Sequence, residues 1–112
     1  MKIGRLRHRV TFELPGPVEL DSDGEKVETW LPAFQRPVSA DIKALSGRAL
    51  IAAQAQQSKV NTQIRVRFHP DFRASMRGVH REVIYNIEAV IPDPDSGVHY
   101  LLLLCSSGVN DG

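Results

Sequence analysis

The chain has 112 residues, 42% of them apolar and 24% charged, the balance of one compact globular domain rather than of a disordered or membrane protein. Its net charge of +1 gives no general excess of cations for tight, sequence-independent binding to nucleic acid. Cys105 is the only cysteine, which excludes an intramolecular disulfide and any zinc site built from several thiolates.

Charge is segregated along the chain. Lys2, Arg5, Arg7 and Arg9 open it without an acid among residues 1–9, and then Glu13, Glu19, Asp21, Asp23, Glu25 and Glu28 face only Lys26. Nine cations in residues 36–81 face Asp41 and Asp71, and residues 82–112 contain neither Lys nor Arg. Faces of opposite sign suit head-to-tail association of identical subunits, in which two different patches of one molecule meet.

Taken in chain order, strict alternation is the main signal. Leu6, Val10, Phe12 and Leu14 fall on one side, Arg7, Arg9, Thr11 and Glu13 on the other, which predicts a half-buried strand over residues 6–14. Pro15-Gly16-Pro17 ends it, and the Asp21-Ser22-Asp23-Gly24 turn leads into a second strand over residues 25–31. A third spans residues 38–44, with Val38, Ala40 and Ile42 inward.

The period then changes. Ser46 can cap a helix over residues 48–57, rich in good helix formers, with Ala49, Leu50, Ala52, Ala53 and Gln56 on one stripe. Small alanines make that stripe thin, so docking on its own domain stabilises such a short helix little. Strand character returns over residues 62–69, where Thr62, Ile64, Val66 and Phe68 alternate with Gln63, Arg65, Arg67 and His69. Residues 71–81 read as a polar connection.

Two further strands, residues 83–91 and 98–105, are joined by a hairpin loop at Pro92-Asp93-Pro94-Asp95-Ser96-Gly97. The leucines at 101–104 are apolar on both sides of the pleat, as in a central strand covered on both faces or one that meets a partner. Residues 106–112 are expected to form a disordered polar tail. The whole predicts a mostly β fold: a small antiparallel barrel or sandwich of about six strands with one short helix inserted between strands 3 and 4.

Catalytic signatures are missing: no phosphate loop, no nucleophile elbow, no paired-histidine metal helix. His8, His69, His80 and His99 are scattered one to a segment, and Cys105 ends an apolar strand as a small core residue would. Asp21-Ser22-Asp23-Gly24-Glu25 resembles the start of a calcium loop but lacks the later glutamate, and Asp93-Pro94-Asp95 reads equally as a turn. No catalytic residue, cofactor or metal ligand is therefore assigned. Arg65 and Arg67 share one outward face and the basic row Arg5, Arg7 and Arg9 another, while Phe12, Phe68, Tyr85 and Tyr100 fall on inner faces, away from any base-stacking role.

Five landmarks in this order resemble the phage head-tail joining, or head-closure, family of connector proteins. They are Leu6-Arg7-His8-Arg9-Val10, an Asp-Gly turn before Val27-Glu28-Thr29-Trp30, Ala44-Leu45-Ser46-Gly47-Arg48 entering a helix that closes Ala53-Gln54-Ala55-Gln56, Ile64-Arg65-Val66-Arg67-Phe68 with Met76-Arg77, and Tyr85-Asn86-Ile87-Glu88-Ala89-Val90. The loop between Trp30 and Val38 departs from the pattern, with two prolines and no second tryptophan. The resemblance implies a non-enzymatic β-barrel connector domain over residues 1–105, forming a ring, usually twelvefold, below the portal and adaptor. Such a ring retains packaged DNA and presents a docking surface to the tail, within the virion and in the host cytoplasm before assembly, with no membrane partner. The segment carrying Ser46, Arg48, Leu50, Ala52, Ala53 and Gln56 is the expected subunit or partner interface, and Arg65 and Arg67 are the expected lining of the DNA channel. The competing readings are a small β-barrel nucleic-acid-binding module, a tail-completion or terminator subunit, and an enzyme using Cys105 or a histidine cluster.

Overall fold

The computed structural model describes residues 6–94 and 98–107. Nine strands and one helix follow in the order β1 (His8–Pro15), β2 (Glu19–Leu20), β3 (Lys26–Val27), β4 (Trp30–Pro32), β5 (Val38–Ala44), α1 (Gly47–Gln56), β6 (Thr62–Arg67), β7 (Arg77–His80), β8 (Val83–Pro92) and β9 (Tyr100–Ser107). Six of them, in the order β1-β5-β6-β9-β8-β7, form an antiparallel sheet that closes when β7 pairs with β1. Closure removes the free edges on which a short sheet would otherwise aggregate. The expected mostly β barrel with one helix is thus the observed fold, and the helix sits between β5 and β6, the strands expected third and fourth.

Alternation decides what fills the barrel. Val10, Phe12, Ile64, Val66, Leu103 and Cys105 are almost completely buried, and burying each large apolar side chain is worth roughly 1.5–3 kcal/mol. Phe12, Phe34 and Phe72 close one end, Phe12 meeting Phe72 edge-on with ring centres 5.0 Å apart. Gly78 makes closure on the β7 side feasible: a Cβ there would stand 2.8 Å from Val10 Cγ1 and 3.0 Å from Phe12 Cε1. The opposite end is tied by Asn61. Its Nδ2 donates to the Ser107 carbonyl at 2.8 Å, its Oδ1 accepts from the Ser107 amide at 3.0 Å, and its own amide donates to the Cys105 carbonyl at 3.0 Å.

Several expectations change. Residues 25–31 are not one strand: Lys26–Val27 pairs with Glu19–Leu20, whereas Trp30–Pro32 pairs with β1. The chain changes partner at Thr29, whose carbonyl accepts from the Gly16 amide and whose hydroxyl donates to the Pro17 carbonyl. Residues 71–81 are no mere connection, since they contain β7, and β7 completes the barrel in place of the expected strand 25–31. β7 turns into β8 through Arg81 and Glu82, both at positive φ (50° and 70°), the backbone of a two-residue hairpin without the glycine or asparagine that usually marks one. Phe68 is not inward but 51% exposed, because β6 ends at Arg67 and alternation lapses there.

On β9, Leu101 and Leu103 are buried and so is Leu102 on the opposite side of the pleat, matching a strand covered on both faces. A bulge at Glu88 shifts the β8–β9 register between Ile87 and Ala89, keeping Ile87 and Val90 both against inward-facing partners, Cys105 and Leu103. β9 continues through Ser106 and Ser107, two residues beyond its expected end. The rest of the expected tail, residues 108–112, lies outside the described residues, as do Arg5 of the basic N-terminal row and residues 95–97 of the hairpin loop.

Candidate assembly surfaces

The register places the two ends of the barrel unambiguously. β5 and β6 run into and out of α1 at the end where β9 finishes, whereas β1 finishes at the other end, beside the aromatic plug and the β8–β9 connection.

At the first end α1 stands off the barrel. None of its residues is buried, and Ile51 is 71% exposed. Leu50 and Ala53 are half-buried, while Arg48, Ala49, Ala52 and Gln56 are exposed, so the expected stripe divides, with two members turned inward and the rest on the surface. Ser46 occupies the N-cap position in extended conformation, but its hydroxyl makes no capping bond; the Leu50 amide reaches the Ser46 carbonyl at 3.3 Å. One side-chain bond steadies the helix end, from Gln54 Nε2 to the Val60 carbonyl at 3.0 Å. Ile51 escaped the sequence reading because it lies off the alanine stripe.

The two arginines of β6 differ in environment. Arg65 Nε lies 3.0 Å from Asp93 Oδ2, with only 15% and 4% of the two side chains exposed, so this guanidinium is committed to a nearly buried ion pair. Arg67 is exposed, with its guanidinium 5.9 Å from the centre of the Tyr100 ring.

At the second end two features stand out, of which the sequence predicted only the Asp21-Ser22-Asp23-Gly24 turn. The first is an arm. From residue 17 through 28 every residue is exposed, including Val18 and Leu20, at 60% and 67%. Its β2–β3 hairpin is ordered by Asp21, whose Oδ1 accepts from the amides of Asp23 and Glu25, each at 2.9 Å, with Gly24 at φ +81°. These carboxylate contacts belong to a turn. The second feature is a groove of about 350 Å³ between the β4–β5 loop and the β6–β7 loop. Phe34, Phe68 and Phe72 line it, Arg36 and Arg67 stand at its margin, and His69 packs edge-on against Phe34 at 4.9 Å.

The remaining titratable candidates are dispersed. The His8 and His80 rings meet edge-on at 5.1 Å, His80 Nδ1 lies 2.9 Å from the Arg9 carbonyl oxygen, and His69 and His99 lie elsewhere. Burial pushes the Cys105 thiol up to about 12, and the Glu88 carboxylate adds to the rise, which makes it a poor nucleophile.

With this geometry in view, the comparisons with known proteins converge. A family model described as phage head completion protein matches residues 1–108. The chain is 29% identical over 113 residues to head completion protein gp7 of Enterobacteria phage HK97, covering 96% of this chain and 97% of the relative. The solution structure of protein SF1141 from Shigella flexneri 2a superposes with a TM-score of 0.75 at 26% identity, over 99% of this chain and all of the other. A chain from the virion of a native gene transfer agent particle shares the fold, with a TM-score of 0.61 at 24% identity over 96% of this chain and 100% of that one.

Proposed function

Because the chain belongs to the phage head completion protein family, structural components of the virion at the junction of head and tail, we propose that its subunits assemble there as a ring, with α1 as the contact to a neighbouring subunit or to the portal and adaptor above. The ring, twelvefold in this reading, helps retain packaged DNA and docks the tail, and the subunits wait in the host cytoplasm until the capsid vertex receives them. One observation carries the proposal: a ten-residue helix with no buried residue is held off its own barrel. An isolated helix of that length is marginal in water, so burial against another chain is the missing part of its stabilisation.

Arg67 is the cation of β6 free to face DNA in the channel, since Arg65 is occupied by Asp93. Replacing the exposed Ala52 by Glu places a charge in the proposed contact without touching the core. Ala52→Glu is expected to leave heads and tails unjoined while the purified subunit melts as the parent does. A normal yield of infectious particles from this variant would overturn the assignment of α1.

A further inference from the structure

The groove and the arm are complementary in both of the properties that drive docking. The arm is acidic, with Glu19, Asp21, Asp23, Glu25 and Glu28 against Lys26 alone, and it carries the exposed Val18 and Leu20 two residues apart. The groove is floored by Phe34 and Phe72, walled by the half-exposed Phe68, and bordered by Arg36 and Arg67. Its nearby acid, Asp71, lies beside His69, whose Nδ1 accepts from the Asp71 amide at 3.1 Å. A two-stranded hairpin is marginally stable by itself, so an arm exposed throughout residues 17–28 lacks the surface that would hold it.

We infer that the acidic arm of one subunit docks in the aromatic groove of a second copy of this chain, Val18 and Leu20 entering between Phe34 and Phe68 while the arm carboxylates meet Arg36. The contact is heterologous, joining two different patches, and therefore propagates from copy to copy. Both patches lie at the same end of the barrel, as rotation without rise requires of surfaces that meet when the barrel axis runs along the ring axis. The inference rests on the ring reading and supplies a subunit contact distinct from α1, which lies at the opposite end.

The test uses the full chain carrying Leu20→Cys and Gln35→Cys together, with Cys105 left in place because it is fully buried. Virions assembled with this chain are oxidised, and their subunits are separated without reductant. A ladder of linked subunits is expected, shortened when Phe68→Ala is added, a substitution at an exposed ring that leaves the melting of the free subunit unchanged. In solution, Phe68→Ala is expected to weaken self-association about tenfold, as loss of an aromatic anchor does. Several copies per virion without a ladder would overturn the docking and leave the ring standing. A single copy per virion would remove both. Saturable binding of a single-stranded oligonucleotide that Phe68→Ala abolishes, without effect on the ladder, would reassign the groove to nucleic acid and likewise overturn the docking.

Discussion

The guanidinium of Arg77 lies 4.0 Å from the centre of the Trp30 ring while its Nε holds Glu13 Oε1 at 2.8 Å. A residue of β7 thereby fastens β1, its direct cross-strand partner, to β4, which leads out of the arm. Both side chains of the ion pair are largely shielded, at 21% and 25% exposure, so the contact exceeds an ordinary surface pair in strength.

Replacing Arg77 by Ala removes the stack and the ion pair together and is expected to cost about 2 kcal/mol, whereas Arg77→Lys keeps the charge without the planar stack and costs about 1 kcal/mol. Urea unfolding measures both. Trp30 is the only tryptophan, so its emission reports directly on the lost cation in the folded state.

Arg65 and Asp93 make a second ion pair, from β6 to the turn after β8, and this one is almost out of solvent. Asp93→Ala leaves a shielded guanidinium without that carboxylate and is expected to destabilise the protein by about 3 kcal/mol. Charge reversal at Arg65 therefore reads out folding. Reversal at the exposed Arg67 is the variant that reads out DNA retention, measured as the DNA content of heads after purification.

Cys105 gives the stability a dependence on alkaline pH. Its thiol is raised by burial, and further by Glu88, from 9.0 to about 12. The folded chain therefore holds the proton where the unfolded chain releases it. The contribution is whole below pH 9 and declines between pH 9 and about 12, by about 1.4 kcal/mol for each pH unit. The difference in unfolding free energy between the parent and Cys105→Ala, measured across that range, is expected to shrink with this slope. A thiol reagent at neutral pH is expected to label Cys105 only as fast as the chain opens.

Half-buried strands were legible because one buried face imposes a period of two, as at Val10 and Phe12 in β1 or Ile64 and Val66 in β6. The same rule failed where strands change partner. Residues 25–31 follow a turn and read as one strand, yet Val27 pairs with Glu19 and Trp30 with Pro15. β7 escaped because Arg77-Gly78-Val79-His80 is short and polar, with a glycine that close packing against Phe12 demands, and because Arg81-Glu82 carries no residue typical of its turn.

The candidate surfaces divide in the same way. The helix was readable from its composition, and the thinness of its stripe foretold its poor burial. The groove was not readable, since residues 34–38 and 67–72 meet only after the barrel has closed, and Phe68 follows the alternation of β6 in sequence without obeying it in space.

The clamp that Asn61 places on Ser107 also governs where a label can be attached. It fixes Ser107 at the helix end of the barrel, so a label placed at that end competes with whatever docks on α1. The tip of the arm, near Asp23, lies toward the other end, and a probe there reports on the aromatic groove instead. Placing an electron-dense label first at one position and then at the other would give the polarity of the subunit within the virion, head-facing end against tail-facing end, from two images.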